Sequence, residues 1–377
     1  MMPDVLKHKN LLLKALQICL DKKLIFAVYR LPGKPGISLI VQKDQQVKEL
    51  GNIISNFPER GFLISPFSRN SGDKTYLIRP DYLIQDEVTP DQLDELNSIT
   101  GFSINGADRN YPEETQKKQY ISQIENIIAR IKKGEFEKVV LSRVRSVVGN
   151  YYKRLPGIFY QLCETYKDAF VYLFCVKGNC WTGATPEPFI CSSGGELSTV
   201  SLAGTRPYDP ANMDIGNWNE KELLELDYVT RHIEQVLFDF SVSDFNRTGP
   251  YATRAGNLSH LRTDFKFALA SAGSRLPLLI NALHPTPAVC GMASGKAMDY
   301  IRNSETHSRE YYSGFLGPVG MDDLLQLYMN LRCMKVFHDR LILFVGGGIT
   351  HDSVPEDEWE ETEIKADTLL SVLQHLK

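Results

Sequence analysis

Strand-like apolar runs follow one another along this chain without a helix between each pair, and that spacing limits the folds open to it. Leu24-Ile25-Phe26-Ala27-Val28-Tyr29 and Ile37-Ser38-Leu39-Ile40-Val41 flank a Pro- and Gly-rich turn, Leu31-Pro32-Gly33-Lys34-Pro35-Gly36, which predicts a hairpin. Further runs cover 139–148, 169–176, 189–192 and 341–345. A doubly wound sheet requires strand and helix in short regular alternation, so the pattern predicts an α+β fold instead. Two helices stand out. Ile121, Ile124, Ile127, Ile128 and Ile131 form one stripe that Gly134 ends, and 219–238 is expected to bury Leu223, Leu226, Val229 or Thr230, Ile233 and Val236 or Leu237.

The 377 residues suffice for two ordinary domains or one large one, and 43% hydrophobic with 23% charged residues describes a soluble globular chain. A polar stretch over 105–114 marks a seam. We read residues 1–110 as the N-terminal part of one α+β domain and 111–377 as its catalytic region. The net charge of −4 comes without a basic block, which argues against a nucleic-acid partner. Lysines interrupt the apolar run at 11–16 and no small-residue cleavage site follows, so neither a signal peptide nor a membrane span is expected. The seven cysteines are odd in number and lack a Cys-x-x-Cys pair. They are expected as small core residues in a reducing, cytoplasmic compartment, without a disulfide framework or thiolate zinc site.

Three separated segments carry the chemistry. Lys138 opens Lys138-Val139-Val140-Leu141-Ser142-Arg143, Glu187 closes Gly183-Ala184-Thr185-Pro186-Glu187, and Gly346-Gly347-Gly348 precedes Glu358-Trp359-Glu360-Glu361-Thr362. Taken singly, each has a plain explanation. A lysine at a strand edge most often faces solvent, a triple glycine after a strand is most often a tight turn, and Glu225 and Glu361 on helices are most often solvated. Glu358, Glu361 and Lys365 share one helix face, a spacing that also suits a surface ion-pair row. The functional alternatives are a buried lysine acting as base, a carboxyl kept protonated as general acid, and two glutamates holding a hard cation. Arg332, inside an apolar stretch, either pairs with an internal acid or clamps a carboxylate. Gly291-Met292-Ala293-Ser294-Gly295-Lys296 is not a phosphate loop, because only three residues separate the glycines and Ala297 stands where Ser or Thr is required.

In order along the chain, these segments resemble the chorismate-binding enzyme family, on its isochorismate-forming branch. Leu202-Ala203-Gly204-Thr205, Asn219-Glu220-Lys221 with Glu225, His284-Pro285-Thr286-Pro287-Ala288, Arg309-Glu310-Tyr311-Tyr312-Ser313-Gly314 and Leu331-Arg332-Cys333 complete the match over about residues 115 to 377. The resemblance implies one large domain with two facing antiparallel sheets, helices outside and the site between them. It implies Lys138 as the base that activates water and Glu187 as the acid. Glu225 and Glu361 match Mg2+ ligands. Arg332, Tyr312, Gly347 and Gly348 match groups that hold the enolpyruvyl carboxylate. Ala203, Gly204, Thr205, His260 and Lys365 match further substrate-binding positions. The implied reaction is reversible conversion of chorismate to isochorismate, which feeds menaquinone or siderophore synthesis, by a monomer with no glutaminase partner. The alternatives are a salicylate synthase or a catalytically silent chorismate-binding protein.

Overall fold

The computed structural model describes residues 3–374, apart from 52, 54–56, 69–71, 104–110, 256–257 and 323. Most of the polar stretch expected to mark a seam lies outside the described residues. The described strands form two sheets of nine, antiparallel at their pairings. The first runs in spatial order Gly291–Met292, Lys138–Val148, Arg340–Ile349, Cys333–Val336, Asn179–Thr185, Phe170–Val176, Ile25–Arg30, Ile37–Gln42 and Tyr82–Gln85. The second runs Phe245–Ala255, Leu258–Ala268, Glu196–Pro207, Pro188–Ser193, Leu324–Met329, Phe315–Met321, Gly61–Ser65, Thr75–Ile78 and Lys48–Leu50. The α+β expectation holds, and so does the early hairpin, with Ile25 opposite Gln42 and Arg30 opposite Ile37. Ile25–Arg30 pairs with Phe170–Val176, and Gly61–Ser65 with Phe315–Met321, so the first 110 residues supply strands to both sheets.

The sheets face each other and helices cover their outer sides. Leu12, Ala15 and Leu16 of Pro3–Asp21, Ile158 and Leu162 of Leu155–Thr165, and Ala366 and Leu369 of Pro355–Gln374 pack on the first sheet. Val229, Ile233 and Leu279, Ile280 from Glu220–Asp239 and Leu276–Leu283 pack on the second. Strands enclosed on both faces have no polar side to show. Ile25–Arg30 and Phe170–Val176 are accordingly buried at every position, which is why they read as unbroken apolar runs. Between the sheets, rings from opposite layers stack: Phe170 on Tyr328 at 4.3 Å and Tyr29 near Phe62 at 5.6 Å.

Two expectations need correction. Cys175 and Cys180 form a disulfide, five residues apart, because they face each other in register across the hairpin that joins Phe170–Val176 to Asn179–Thr185. No linear Cys-x-x-Cys spacing advertises such a pair. The remaining five cysteines are free, and four are buried as expected. The isoleucine stripe is centred one residue earlier than expected: Tyr120, Ile124 and Ile127 are fully buried in Lys117–Lys132, while Ile121, Ile128 and Ile131 are half-buried. The rejected phosphate-loop segment is a two-residue strand, Gly291–Met292, pairing with Lys138 and Val139, followed by the helix Ser294–Ser304.

Candidate active site

Lys138 begins its strand opposite Met292, and the second sheet and the Glu220–Asp239 helix leave it only 2% exposed. The solvent-facing reading is therefore wrong. Its Nζ lies 3.6 Å from Glu225 Oε2, so its nearest charged neighbour is a carboxylate. The strand beside it explains the glycines. Gly346, Gly347 and Gly348 are not a turn; they lie within Arg340–Ile349, opposite Ser142, Leu141 and Val140. Their role is to leave space. A Cβ on Gly348 would come 2.7 Å from Lys138 Cε and 3.3 Å from Glu225 Oε2. One on Gly346 would meet the Tyr312 hydroxyl at 3.0 Å.

Glu187 follows Thr185 and Pro186 where the chain leaves the first sheet. Its backbone is fixed by the Thr185 hydroxyl and by the amide of Met329, which donates to its carbonyl at 3.0 Å. Burial pushes its carboxyl up to about 7, against the opposing pull of Arg332 and Lys138. A carboxyl in that range retains a large protonated fraction near neutral pH.

A bulge between Ala203 and Arg206 builds the next wall. Gly204 adopts φ +65°, a conformation open to glycine, with Trp218 packed where a Cβ would point. The bulge turns the Gly204 carbonyl toward His260, whose Nδ1 donates to it at 2.7 Å. The other ring nitrogen, Nε2, then accepts from the Arg332 guanidinium at 3.1 Å. This pattern assigns a neutral Nδ1–H tautomer, consistent with burial and Arg332 pushing the imidazole down to about 3. Burial also lowers the Arg332 guanidinium to about 10. Arg332 is thus aimed by a neutral partner, with its remaining donors available to a ligand carboxylate.

The Pro355–Gln374 helix supplies the acidic face. Glu361 pairs with Lys365 at 2.6 Å, and Lys365 also donates to the Gly346 carbonyl at 3.0 Å. Burial opposes ionisation of Glu361, but Lys365 and Lys221 prevail and hold its carboxyl below the usual range. Glu358 is 1% exposed and pairs with Lys221 at 2.5 Å. Its second oxygen is buried without a hydrogen-bond partner, 3.2 Å from where a Gly347 Cβ would stand.

All thirteen residues singled out from the sequence line one cavity of about 180 Å³: Lys138, Glu187, Ala203, Gly204, Thr205, Glu225, His260, Tyr312, Arg332, Gly347, Gly348, Glu361 and Lys365. Tyr312 stacks on Phe344 at 5.6 Å, and burial raises its hydroxyl pKa further than Arg309 lowers it. Sequence reasoning left Lys221, Glu358 and Arg309 without roles. Arg309 donates to the Val140 and Val289 carbonyls at 2.7 and 2.8 Å, and Glu305 neutralises it while accepting from the Ser142 amide at 2.7 Å. It ties the Lys138 strand to the adjoining 289–292 segment, whose Cys290 carbonyl accepts from the Val140 amide at 2.9 Å. The i, i+3 relation of Glu358 to Glu361 was the available signal for Glu358.

Residues 46–374 match the family described as chorismate binding enzyme. The chain belongs to the chorismate-binding enzyme family. Over 268 residues, 69% of this chain, it is 31% identical to the isochorismate synthase MenF of Bacillus subtilis (strain 168), covering 56% of that protein. Over 270 residues, 68% of this chain, it is 30% identical to the salicylate biosynthesis isochorismate synthase of Pseudomonas aeruginosa, covering 55% of it. The chain thus spans about half the length of the curated relatives it matches. The solved structure of MenF, the menaquinone-specific isochorismate synthase from Escherichia coli, shares the fold with a TM-score of 0.73 at 20% identity, over 93% of this chain and 88% of that one. Among the described residues no helix is long and apolar enough to cross a membrane.

Proposed function

We propose that this protein is an isochorismate synthase, converting chorismate reversibly to isochorismate. The observation that carries the reading is a buried amine, Lys138, sharing one cavity with a carboxyl, Glu187, whose environment favours its protonated form. Lys138 takes a proton from water as its oxygen attacks C2 of chorismate. The C1–C2 double bond moves to C1–C6, the C5–C6 bond moves to C4–C5, and the C4–oxygen bond breaks. Glu187 gives its proton to the departing hydroxyl, which leaves as water. Acid and base exchange roles in the reverse direction. Arg332, aimed by His260, and Tyr312 hold the enolpyruvyl carboxylate, while the unsubstituted Gly347 and Gly348 let it approach the strand. Ala203, Gly204, Thr205 and Lys365 bound the rest of the ring.

The donor set at the acidic end suits a hard divalent cation. Glu225 and Glu361 both line the cavity, and Glu358, three residues before Glu361 on the same helix, keeps one buried oxygen without a hydrogen-bond partner. Among the described residues no group of three His, Cys, Asp or Glu side chains is placed to hold a metal ion; in this reading substrate oxygens and water complete the shell. Glu225 and Glu361 would hold Mg2+, which when bound neutralises the ring carboxylate.

The test separates products from purified protein, chorismate and Mg2+, with and without ammonium. Isochorismate in equilibrium with chorismate, indifferent to ammonium and stopped by EDTA, is the expected result. Salicylate with pyruvate moves the protein to a neighbouring activity, and an ammonium-dependent amino product overturns the role of Lys138.

A further inference from the structure

The motif that opens with Lys138 ends in a residue the mechanism leaves unused. Arg143 is 1% exposed, yet it does not line the substrate cavity. Alternate residues of a strand point to opposite faces. Lys138 and Val140 line the cavity and Val144 joins the aromatic layer between the sheets, whereas Val139 and Leu141 belong to the outer cluster of Tyr120 and Ile124. Arg143 shares that outer face, and there it meets the Pro355–Gln374 helix. Its Nε donates to the Thr362 hydroxyl at 2.7 Å, and that hydroxyl donates to the Trp359 carbonyl at 2.6 Å. Its other donors pair with Glu363, which Arg145 also holds at 2.9 Å. The guanidinium lies over the Trp359 ring, 3.9 Å from the centroid.

We infer that Arg143 is a positioning residue: from the far face of the Lys138 strand it sets the rotation and register of the helix that presents Glu361 and Lys365 to the cavity. The two ends of that helix are held differently. Ala366, Leu369 and Val372 dock its C-terminal part by apolar burial, which is strong but not directional. Trp359, Thr362 and Glu363, which flank Glu361 along the chain, are held by charge-assisted hydrogen bonds and a stacked cation, which fix angle as well as distance. Lys221 and the Gly346 carbonyl hold this end from the cavity side, through Glu358 and Lys365. Arg143 is its anchor from the strand that carries the base. Glu225 comes from a different helix, so a shift of about 1 Å at Glu361 would spoil the pair. The inference rests on the reading of Glu225 and Glu361 as Mg2+ ligands.

The experiment is calorimetric titration of Mg2+ into the protein with chorismate present, in the non-turning Lys138→Ala background. Arg143→Met keeps the apolar stem and removes the guanidinium, and Arg145 still balances Glu363. It should raise the Mg2+ dissociation constant at least about tenfold, as loss of the groups that orient metal ligands does. Thr362→Val, nearly isosteric, removes only the acceptor of the Arg143 Nε–H and should raise the constant about threefold or more. Leu369→Ala, which loosens the apolar end, is the control for a merely structural role. It should lower the melting temperature yet leave the constant within about twofold of the parent. If Arg143→Met and Thr362→Val, folded by circular dichroism, stay within about twofold of the parent, or Leu369→Ala weakens binding as much as they do, the positioning role is overturned and the metal reading stands. If Arg143→Met does not fold, Thr362→Val decides by the same limits. If the Lys138→Ala parent takes up no Mg2+, the metal reading fails and takes the inference with it.

Discussion

The space between the two sheets is treated in opposite ways at its two ends. Around Tyr29, Phe62, Phe170, Tyr172, Trp181 and Tyr328 it is filled by rings that stack across the gap, and none of these residues is more than 4% exposed. Around Lys138, Glu187, Glu225, Arg332 and Glu361 the same two layers enclose a cavity. The backbone differs little, since both ends use extended antiparallel strands. The difference lies in side-chain volume and charge. Gly346, Gly347 and Gly348 remove the Cβ atoms that would fill the open end, and charged groups paired across the cavity keep it polar. Within the space between the sheets, apolar burial is therefore concentrated at the aromatic end. The open end spends stability on burying charge, and chemistry is what that secures.

Four substitutions would break or sharpen this division. The largest effect is expected for Lys138→Ala, which should cut turnover about 10³-fold or more while the melting transition stays close to that of the parent. Turnover within tenfold would remove Lys138 as base. Phe170→Ala should do the reverse, costing about 3–5 kcal/mol in denaturant unfolding with turnover per folded molecule nearly unchanged. A selective loss of activity would show that the two ends are coupled.

Glu187→Gln should cut turnover about 10²-fold yet stabilise the fold at pH 8 by roughly 3 kcal/mol. The sign follows from a carboxyl raised from 4.5 to about 7 by burial. Its favourable contribution is complete below the unfolded value and is lost as pH rises through the folded one. The two proteins should therefore match in stability near pH 4 and diverge up to about pH 7. The parent's forward rate should fall on the alkaline side of about pH 7 as the acid deprotonates. Equal unfolding free energies at pH 8 would contradict the assignment. The smallest effect is expected for Gly348→Ala, whose Cβ would stand 2.7 Å from Lys138 Cε. Moving the amine should cost about tenfold in turnover, with stability within about 1 kcal/mol of the parent.

The cavity was more legible in the sequence than the aromatic layer. Lys138, Glu187, Arg332 and their partners stand in ordered motifs, and the structure gathers them at one place. Which face of Phe170–Val176 meets the opposite sheet could not be read, because a strand enclosed on both sides shows no alternation. The glycines were misread as a turn because linear sequence gives their flexibility but not the lysine and carboxylate that press against their strand. Cys175 and Cys180 were missed because hairpin register, not spacing, brings them together. Lys221 and Glu358 were on the page as motif members, but a pairing between residues 137 apart is visible only once two helices are placed.

The most direct test of the central claim, that the open end exchanges one hydroxyl for another between Lys138 and Glu187, is turnover of chorismate in ¹⁸O-labelled water with Mg2+. The account predicts isochorismate carrying the label in the hydroxyl at the attacked carbon, formed by the parent and not by Lys138→Ala. Isochorismate without label would mean the original hydroxyl migrates rather than being replaced, and would contradict it.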